Sequence, residues 1–127
     1  MSIMSIFDKM TETEKKVGEF LTEVGIWWKF ENPLFVRDEA ERPRIWAPDF
    51  HLTHLGIHVE VCGSEEFDYK YREKIYYDND LRVIFVHYYK NPGKWKHFLL
   101  QRIKEIQEKR KTIIEKAMQT TQRTRIA

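Results

Sequence analysis

Residues 44–63, with the sequence RIWAPDFHLTHLGIHVEVCG, decide the fold of this chain. β-forming residues fill Arg44–Leu52 and Ile57–Cys62, and the stretch Thr53–Gly56 between them is typical of a hairpin turn. Side chains alternate between the two faces of a strand, so each strand has one apolar face and one face that carries acidic and imidazole groups. The stretch therefore predicts an antiparallel hairpin with one polar face.

The register of this hairpin places two carboxylates side by side. If the turn is symmetric, Asp49 lies opposite Glu60 and His51 lies opposite His58. Directly opposed residues on neighbouring strands have Cβ atoms roughly 4.5–5.5 Å apart. Two carboxylates at that distance repel each other unless a cation lies between them, and a hard divalent cation such as Mg²⁺ takes oxygen ligands. The pattern predicts a metal site, and the alternative is an exposed sheet face whose acids lie in water.

The flanking sequence predicts three helices and further strands around the hairpin. An apolar stripe at helical spacing runs through Thr11–Gly25, and a long amphipathic helix is predicted from Lys94 to about Met118. The other predicted elements are β-rich segments at Ile26–Phe30 and Leu34–Arg37, which Pro33 interrupts and which together form one irregular strand, a helix at Glu65–Asp78 and a strand at Arg82–Tyr89. The order helix, three strands, helix, strand, helix predicts an α/β fold with a mixed central sheet flanked by helices.

Glu14 is a third acidic residue of interest. It shares a helix face with Met10, Val17 and Leu21, and a carboxylate on an apolar face is costly unless it is paired or bound to a metal. The alternative is a capping box, in which the Glu14 side chain accepts a hydrogen bond from the Thr11 N–H. From the sequence, both interpretations stay open.

The chain has 127 residues, which is enough for one domain with a hydrophobic core. Its single cysteine, Cys62, excludes an internal disulfide and is typical of a reducing compartment. No apolar run reaches the roughly 18–20 residues that a membrane helix needs, and the first residues do not resemble a secretory signal. We therefore expect a cytoplasmic protein without membrane association.

The formal net charge of +2 conceals an uneven distribution. Residues 1–89 carry 11 Lys and Arg against 17 Asp and Glu, whereas residues 90–127 carry 11 against 3. An acidic body with a basic end is suited to hold a metal in one place and phosphate in another. The alternative is a basic tail that only increases solubility.

Several of these residues resemble the core signature of the PD-(D/E)XK nuclease superfamily. The resemblance rests on Pro48-Asp49, ten intervening residues and Glu60-Val61-Cys62, on the preceding helix with Glu14, and on the following helix and the strand Val83–Val86. It covers about residues 11–106 of a single predicted domain, residues 1–127. It implies a restriction-endonuclease-like core and an enzyme that hydrolyses phosphodiester bonds of DNA with the help of a metal ion.

The resemblance also implies the ligands of that metal ion. Asp49 and Glu60 would bind Mg²⁺ or Mn²⁺ directly, the Val61 carbonyl would be a third ligand, and Glu14 would bind the metal or its water. The metal would activate a water molecule and neutralise charge on the phosphate. A homodimer would suit such an enzyme, because one small site cuts one strand of a duplex.

Cys62 departs from the family pattern, which has a lysine two residues after the glutamate. A cysteine cannot supply a permanent positive charge. The cation would then come from the next helix, where Lys70 and Lys74 share a face and Arg72 is a further candidate. Some branches of the family, including those resembling very-short-patch-repair endonucleases, do without a lysine at this position. The alternative is a catalytically inactive nuclease fold that binds DNA as an accessory protein.

The histidines and the basic segment allow further interpretations. His51, His58 and Cys62 share a strand face, and zinc favours His and Cys ligands. Together with His54 they would form a structural zinc site that stabilises a small interaction domain. Their spacing, however, is not that of a known zinc finger. The residues predicted to contact the DNA backbone are Arg44, Lys94, Lys96, Arg102 and Lys104. A solvated, lysine-rich helix is the alternative for the C-terminal segment at about 94–127.

Overall fold

The computed structural model describes residues 5–90 and 92–126 as a mixed α/β structure. The helices are a short 3₁₀ helix at Ile6–Lys9, α1 at Glu12–Glu23, α2 at Lys70–Asp78 and α3 at Trp95–Ile126. The strands are β1 at Lys29–Phe30, β2 at Leu34–Arg37, β3 at Pro43–Trp46, β4 at Phe50–Leu52, β5 at Ile57–Cys62 and β6 at Val83–His87.

The central sheet has the strand order β1-β4-β5-β6. β4 is antiparallel to β1 and β5, whereas β6 runs parallel to β5 after the crossover through α2. The sheet is therefore mixed and flanked by helices, as predicted. The hairpin register is also confirmed, because His51 lies opposite His58 and Phe50 lies opposite Val59.

The prediction of one strand at Arg44–Leu52 is wrong, because these residues form two strands in different sheets. β3 pairs with β2 in a separate two-stranded sheet, and β4 joins the central sheet. The break falls at Pro48, which lacks the N–H that a ladder hydrogen bond requires. The segments Ile26–Phe30 and Leu34–Arg37 likewise do not form one irregular strand, because β1 and β2 belong to different sheets.

The helix boundaries differ from the prediction at two places. α2 begins at Lys70 and not at Glu65, because the Ser64 hydroxyl accepts the Glu66 N–H at 3.2 Å in a local turn that competes with a helix. α3 continues to Ile126, well past Met118, because neither Gly nor Pro follows Gly93 to end it. Within the described residues, none of the helices combines the length and the apolar character that crossing a membrane demands.

Two apolar layers lie on the two faces of the central sheet. One layer joins the sheet to α1 and α3, and its buried members include Leu21, Phe50, Val59, Val86 and Leu99. The other layer joins the sheet to α2 and to the β2–β3 hairpin, and it consists of Val36, Cys62, Ile75, Tyr76 and Phe85. Since side chains alternate along β5, Glu60 and Cys62 lie on the α2 face of the sheet.

Candidate metal-binding site

Asp49 is positioned by the break between β3 and β4. Pro48 is fully buried, and the β4–β5 register continues to place it opposite Val61, where it has no N–H to donate to the Val61 carbonyl. The Val61 N–H donates instead to Asp49 Oδ2 at 2.6 Å. The proline thus ends the ladder between β4 and β5 and withholds the N–H that the ladder would give the Val61 carbonyl. The Val61 N–H holds the Asp49 carboxylate beside β5.

Glu60 is buried in β5, with 5% of its surface exposed. Its Oε1 accepts a hydrogen bond from the Arg72 guanidinium at 3.2 Å. Among the described residues, neither its Oε2 nor the buried Tyr76 hydroxyl makes a well-formed hydrogen bond, although the two side chains interact. A buried oxygen without a partner is costly, so this atom marks a point where a cation or water would be stabilising.

Glu14 caps its helix and also contacts Asp49. The Thr11 N–H donates to Glu14 Oε1 at 2.8 Å, and the Glu14 N–H donates to the Thr11 hydroxyl at 3.3 Å. The Glu14 carboxyl is half-buried and lies near enough to Asp49 that its charge helps to raise the pKa of Asp49. Capping and participation in the site, which the sequence presents as alternatives, are therefore compatible.

Glu14, Asp49 and Glu60 together are called the acidic cluster below. Burial is the largest cause of the raised pKa of Asp49, followed by the charge of Glu60, while the Val61 N–H acts in the opposite direction. Burial also raises the pKa of Glu60 to about 7, against the opposing charge of Arg72. Full ionisation here is unfavourable without a further cation, which is the electrostatic condition typical of a functional site.

The acidic cluster has the donor chemistry of a Mg²⁺ site, because its free atoms are carboxylate and carbonyl oxygens. Within the described ranges, however, no three His, Cys, Asp or Glu side chains are already arranged around a point where an ion would lie. Each carboxylate has one oxygen in a hydrogen bond, to Thr11, Val61 or Arg72. The cluster fits the metal by ligand type, and side-chain rotation would be needed before all three acids share one ion.

Arg72 is the predicted cation that contacts the acidic cluster directly. Besides its bond to Glu60, its guanidinium lies 5.8 Å from the centre of the Trp46 ring and 5.6 Å from that of Phe67. Lys74 instead pairs with Asp78 at 3.9 Å, and Lys70 is exposed at the start of α2. The two aromatic rings hold the guanidinium in place beside Glu60.

Cys62 is fully buried on the α2 side of β5. Burial and the charges of Glu60 and Asp49 raise the pKa of its thiol to about 12. The thiol is therefore neutral at physiological pH, and it supplies neither a positive charge nor a reactive thiolate.

The four predicted zinc ligands are spread over the hairpin. His51 and His58 stack with ring centres 4.5 Å apart, and burial together with the neighbouring imidazole lowers the pKa of His58 to about 4. His54 lies in the turn against Trp27, and Cys62 follows His58 by four residues along β5, which is about 13 Å at the usual rise of a strand. The histidines are thus a neutral stacked pair, and the described residues do not assemble a zinc set.

The residues predicted to contact DNA have different neighbours. Arg44 Nε pairs with the buried Asp38 at 3.1 Å, so it stabilises the β2–β3 hairpin. On α3, Arg102 pairs with Glu105 and Lys104 pairs with Glu108 at 3.9 Å. Exposed pairs of this kind are weak, so these two cations can exchange their partners for a phosphate.

The other two predicted DNA contacts lie near the start of α3. Lys94 is exposed, and the Lys96 ammonium lies over the rings of Phe20 and Trp95.

Sequence reasoning missed Tyr76 and Trp46 as parts of the site. Tyr76 follows Arg72 by four residues on α2, so the two share a helix face, and its hydroxyl faces Glu60. That spacing was the signal that could have identified it. Trp46 gave no comparable signal, because its contact with Arg72 depends on how the β2–β3 hairpin folds over α2.

We compared the chain with protein-family models, curated proteins and solved structures, and none of them matches it.

Proposed function

We propose that the chain is a metal-dependent DNA endonuclease of the PD-(D/E)XK type. The observation that carries the proposal is the acidic cluster, in which carboxylates from α1 and from both sides of the hairpin interact where burial raises the pKa of Asp49 and Glu60. An unpartnered Glu60 oxygen lies in the same place. Acids that serve only the fold are normally paired when buried, so this arrangement favours a ligand.

In this proposal, Asp49 and Glu60 hold Mg²⁺ or Mn²⁺, and Glu14 and the Val61 carbonyl are the further ligands. When bound, the metal would lower the pKa of a water molecule and place positive charge beside the phosphate. The chain keeps the ligands in position, because the Val61 N–H holds Asp49 and Pro48 donates no hydrogen bond to the Val61 carbonyl.

Arg72 supplies the positive charge that the family's lysine, replaced here by Cys62, would supply. Its guanidinium remains charged at every physiological pH, and Trp46 and Phe67 limit its motion. A fixed positive charge beside the metal ligands stabilises the negative charge that develops on the phosphate in the transition state. Tyr76 is a positioning residue, since its hydroxyl faces Glu60.

Cleavage assays on plasmid, single-stranded and branched DNA test this proposal. We expect the wild type to cut at least one substrate when Mg²⁺ or Mn²⁺ is present and to stop when the metal is chelated. Asp49→Asn should be inactive, and Asp78→Asn, which alters an exposed pair with Lys74, is the matched control. Absence of cleavage on every substrate, or equal cleavage by wild type and Asp49→Asn, would sink the proposal.

The second candidate function is DNA binding without cleavage, and the buried neutral thiol of Cys62 favours it. In that case the basic residues of α3 bind duplex DNA, and affinity falls steeply with salt because counterions are released. Fluorescence anisotropy with a labelled duplex separates the candidates. Salt-dependent binding by a protein that cuts nothing supports the accessory role.

A further inference from the structure

A groove of about 880 Å³ runs along the free edge of β6. β6 is the last strand of the central sheet, so within the described residues its outer edge has no neighbouring strand. One wall of the groove comes from α2, with Tyr77, and from the turn that follows it, with Asp80, and the other wall comes from α3, with Phe98, Arg102 and Ile113.

The floor of the groove presents unpaired backbone groups. The His58 N–H donates to the Arg82 carbonyl at 2.8 Å and the Tyr88 N–H donates to the Cys62 carbonyl at 3.1 Å, so the even-numbered residues of this segment face β5. The alternate residues Val83 and Phe85 therefore direct their N–H and C=O groups into the groove. Among the described residues these groups have no partner, and such an edge can pair with another strand.

The walls carry apolar side chains and charges of both signs. Tyr77 is 76% exposed, Ile113 is 55% exposed and Phe98 is 44% exposed, which is unusual for side chains of this size. Asp80, in the turn after α2, lies in the same groove as Arg102 on α3. A surface of mixed charge is poorly suited to a phosphate backbone but complementary to a second copy of itself.

We propose that this groove is the interface of a two-fold dimer in which the β6 strands of two copies pair antiparallel. With the axis at Phe85, this residue exchanges both of its hydrogen bonds with Phe85 of the second copy. Val83 then pairs with His87 of the second copy, and Ile84 lies opposite its Val86. The outward backbone groups of β6 find partners in this register, and the two central sheets become one.

The length of α3 favours a second copy over an isolated peptide strand as the occupant. The helix has 32 residues, or about 48 Å at 1.5 Å per residue. The Arg110 guanidinium donates to the Gly56 carbonyl at 2.9 Å, and the side chains of residues 111–123 are all exposed, among them Ile113, Ile114 and Met118. The two-fold axis sets α3 antiparallel to α3 of the second copy, whereas a peptide strand on the β6 edge would reach α3 only as far as Ile113 and leave Ile114 and Met118 exposed.

Sedimentation velocity of the protein without metal or DNA tests the dimer independently of the proposed nuclease activity. We expect a dimer at micromolar concentration for the wild type and a monomer for Phe98→Glu, which places a charge on the groove wall. The matched control is Phe35→Glu, because Phe35 is 81% exposed on β2 outside the groove, and it should remain dimeric. A monomeric wild type, or a Phe98→Glu variant that stays dimeric, would overturn the proposal.

Amide hydrogen exchange identifies the edge itself. The Phe85 N–H should exchange at least about tenfold more slowly in the wild type than in monomeric Phe98→Glu, because only the dimer gives it an acceptor. The His58 N–H, which is bonded to Arg82 within one chain, should exchange equally in both proteins. Equal exchange of the Phe85 N–H in the two proteins would contradict the strand pairing.

Discussion

Two buried acidic sites in this molecule differ in their hydrogen-bond partners and in the direction in which their pKa values are shifted. Asp38, in the loop between β2 and β3, accepts the N–H groups of Ala40 and Arg42 at 2.9 and 3.0 Å and the Arg44 guanidinium at 3.1 Å. These partners lower its pKa. Glu60 is equally buried, but Arg72 donates to one of its oxygens, only the Tyr76 hydroxyl faces its side chain without a well-formed hydrogen bond among the described residues, and its pKa is raised.

The contrast separates an acid that serves the fold from the acids proposed to bind a ligand. The hairpin surrounds Asp38 with donors, so the ionised carboxylate is stabilised and no ligand is needed. The acidic cluster instead brings Glu14, Asp49 and Glu60 together with fewer donors than their oxygens can use. A protein retains such an unfavourable arrangement when a ligand compensates for it.

Asp49 and Asp38 form a matched pair for which we expect the greatest difference in DNA cleavage. Asp49→Asn removes a proposed metal ligand and should reduce the rate of DNA cleavage about 10³-fold, which corresponds to several kcal/mol of transition-state stabilisation. Asp38→Asn should leave the cleavage rate of the folded protein within about twofold, because Asp38 lies outside the acidic cluster. Cleavage rates measured under single-turnover conditions check both variants. Equal losses of cleavage in the two variants would contradict the distinction between Asp49 and Asp38.

Arg72 and Arg42 form the next pair. Arg72→Ala should reduce cleavage about 10²-fold, as expected when one preorganised group that stabilises negative charge in the transition state is lost. Arg42→Ala removes one partner of Asp38, at 3.3 Å, and should change stability and not cleavage. Rescue of Arg72→Ala activity by added guanidinium would sharpen the assignment, and an active Arg72→Ala variant would refute it.

A smaller effect is expected at Glu14, where two roles overlap. Glutamine also completes a capping box, so Glu14→Gln should leave the thermal midpoint of unfolding nearly unchanged. The lost charge should weaken metal-dependent cleavage about tenfold. Glu12→Gln, on the same helix and paired with Lys15, is the control for a general effect of charge. A large drop in thermal midpoint with normal cleavage would show that Glu14 serves only as a cap.

The two sites should also differ in how stability depends on pH. The pKa of Asp49 is raised in the folded state, so the native protein binds a proton more tightly than the unfolded chain and loses stability as pH rises from about 4 through the raised pKa. Asp49→Asn should therefore raise the thermal midpoint by about 3–6 °C at pH 8 without divalent metal, and less at pH 5.

The contribution of Asp38 to stability depends on pH with the opposite sign. Its pKa is lowered, so its contribution to stability is present above the unfolded value near 4 and is lost as pH falls. Asp38→Asn should consequently lower the thermal midpoint at pH 7, with a smaller effect in acid. Calorimetric melts of both variants over a pH series check this pair, and parallel pH profiles for the two variants would refute the contrast.

The hairpin shows how much of the fold the sequence determines. The register of β4 on β5 follows from the alternation of side chains around Thr53–Gly56, and the central sheet has this register. The break at Pro48 was not predicted, because the residues on both sides of it have similar strand propensity. Only tertiary pairing decides that β3 joins β2 while β4 joins β5.

The position of Arg72 shows what the sequence could have determined at the site. Ile75 and Tyr76 are the buried residues of α2, and Arg72 lies three and four positions before them, on the same face. Lys70 and Lys74 belong to the exposed face. The spacing could have ranked the three cations, but the contacts of Arg72 with Trp46 and Phe67 depend on loops whose course the sequence pattern does not specify.

Binding of Mn²⁺ to the protein without DNA is the decisive measurement for the acidic cluster. Isothermal titration calorimetry at pH 8, above the raised pKa of Glu60, should detect a site in the wild type and in Asp38→Asn. Asp49→Asn should lose that site. Absence of Mn²⁺ binding by the wild type, or unchanged binding by Asp49→Asn, would contradict the assignment of the acidic cluster as a metal site.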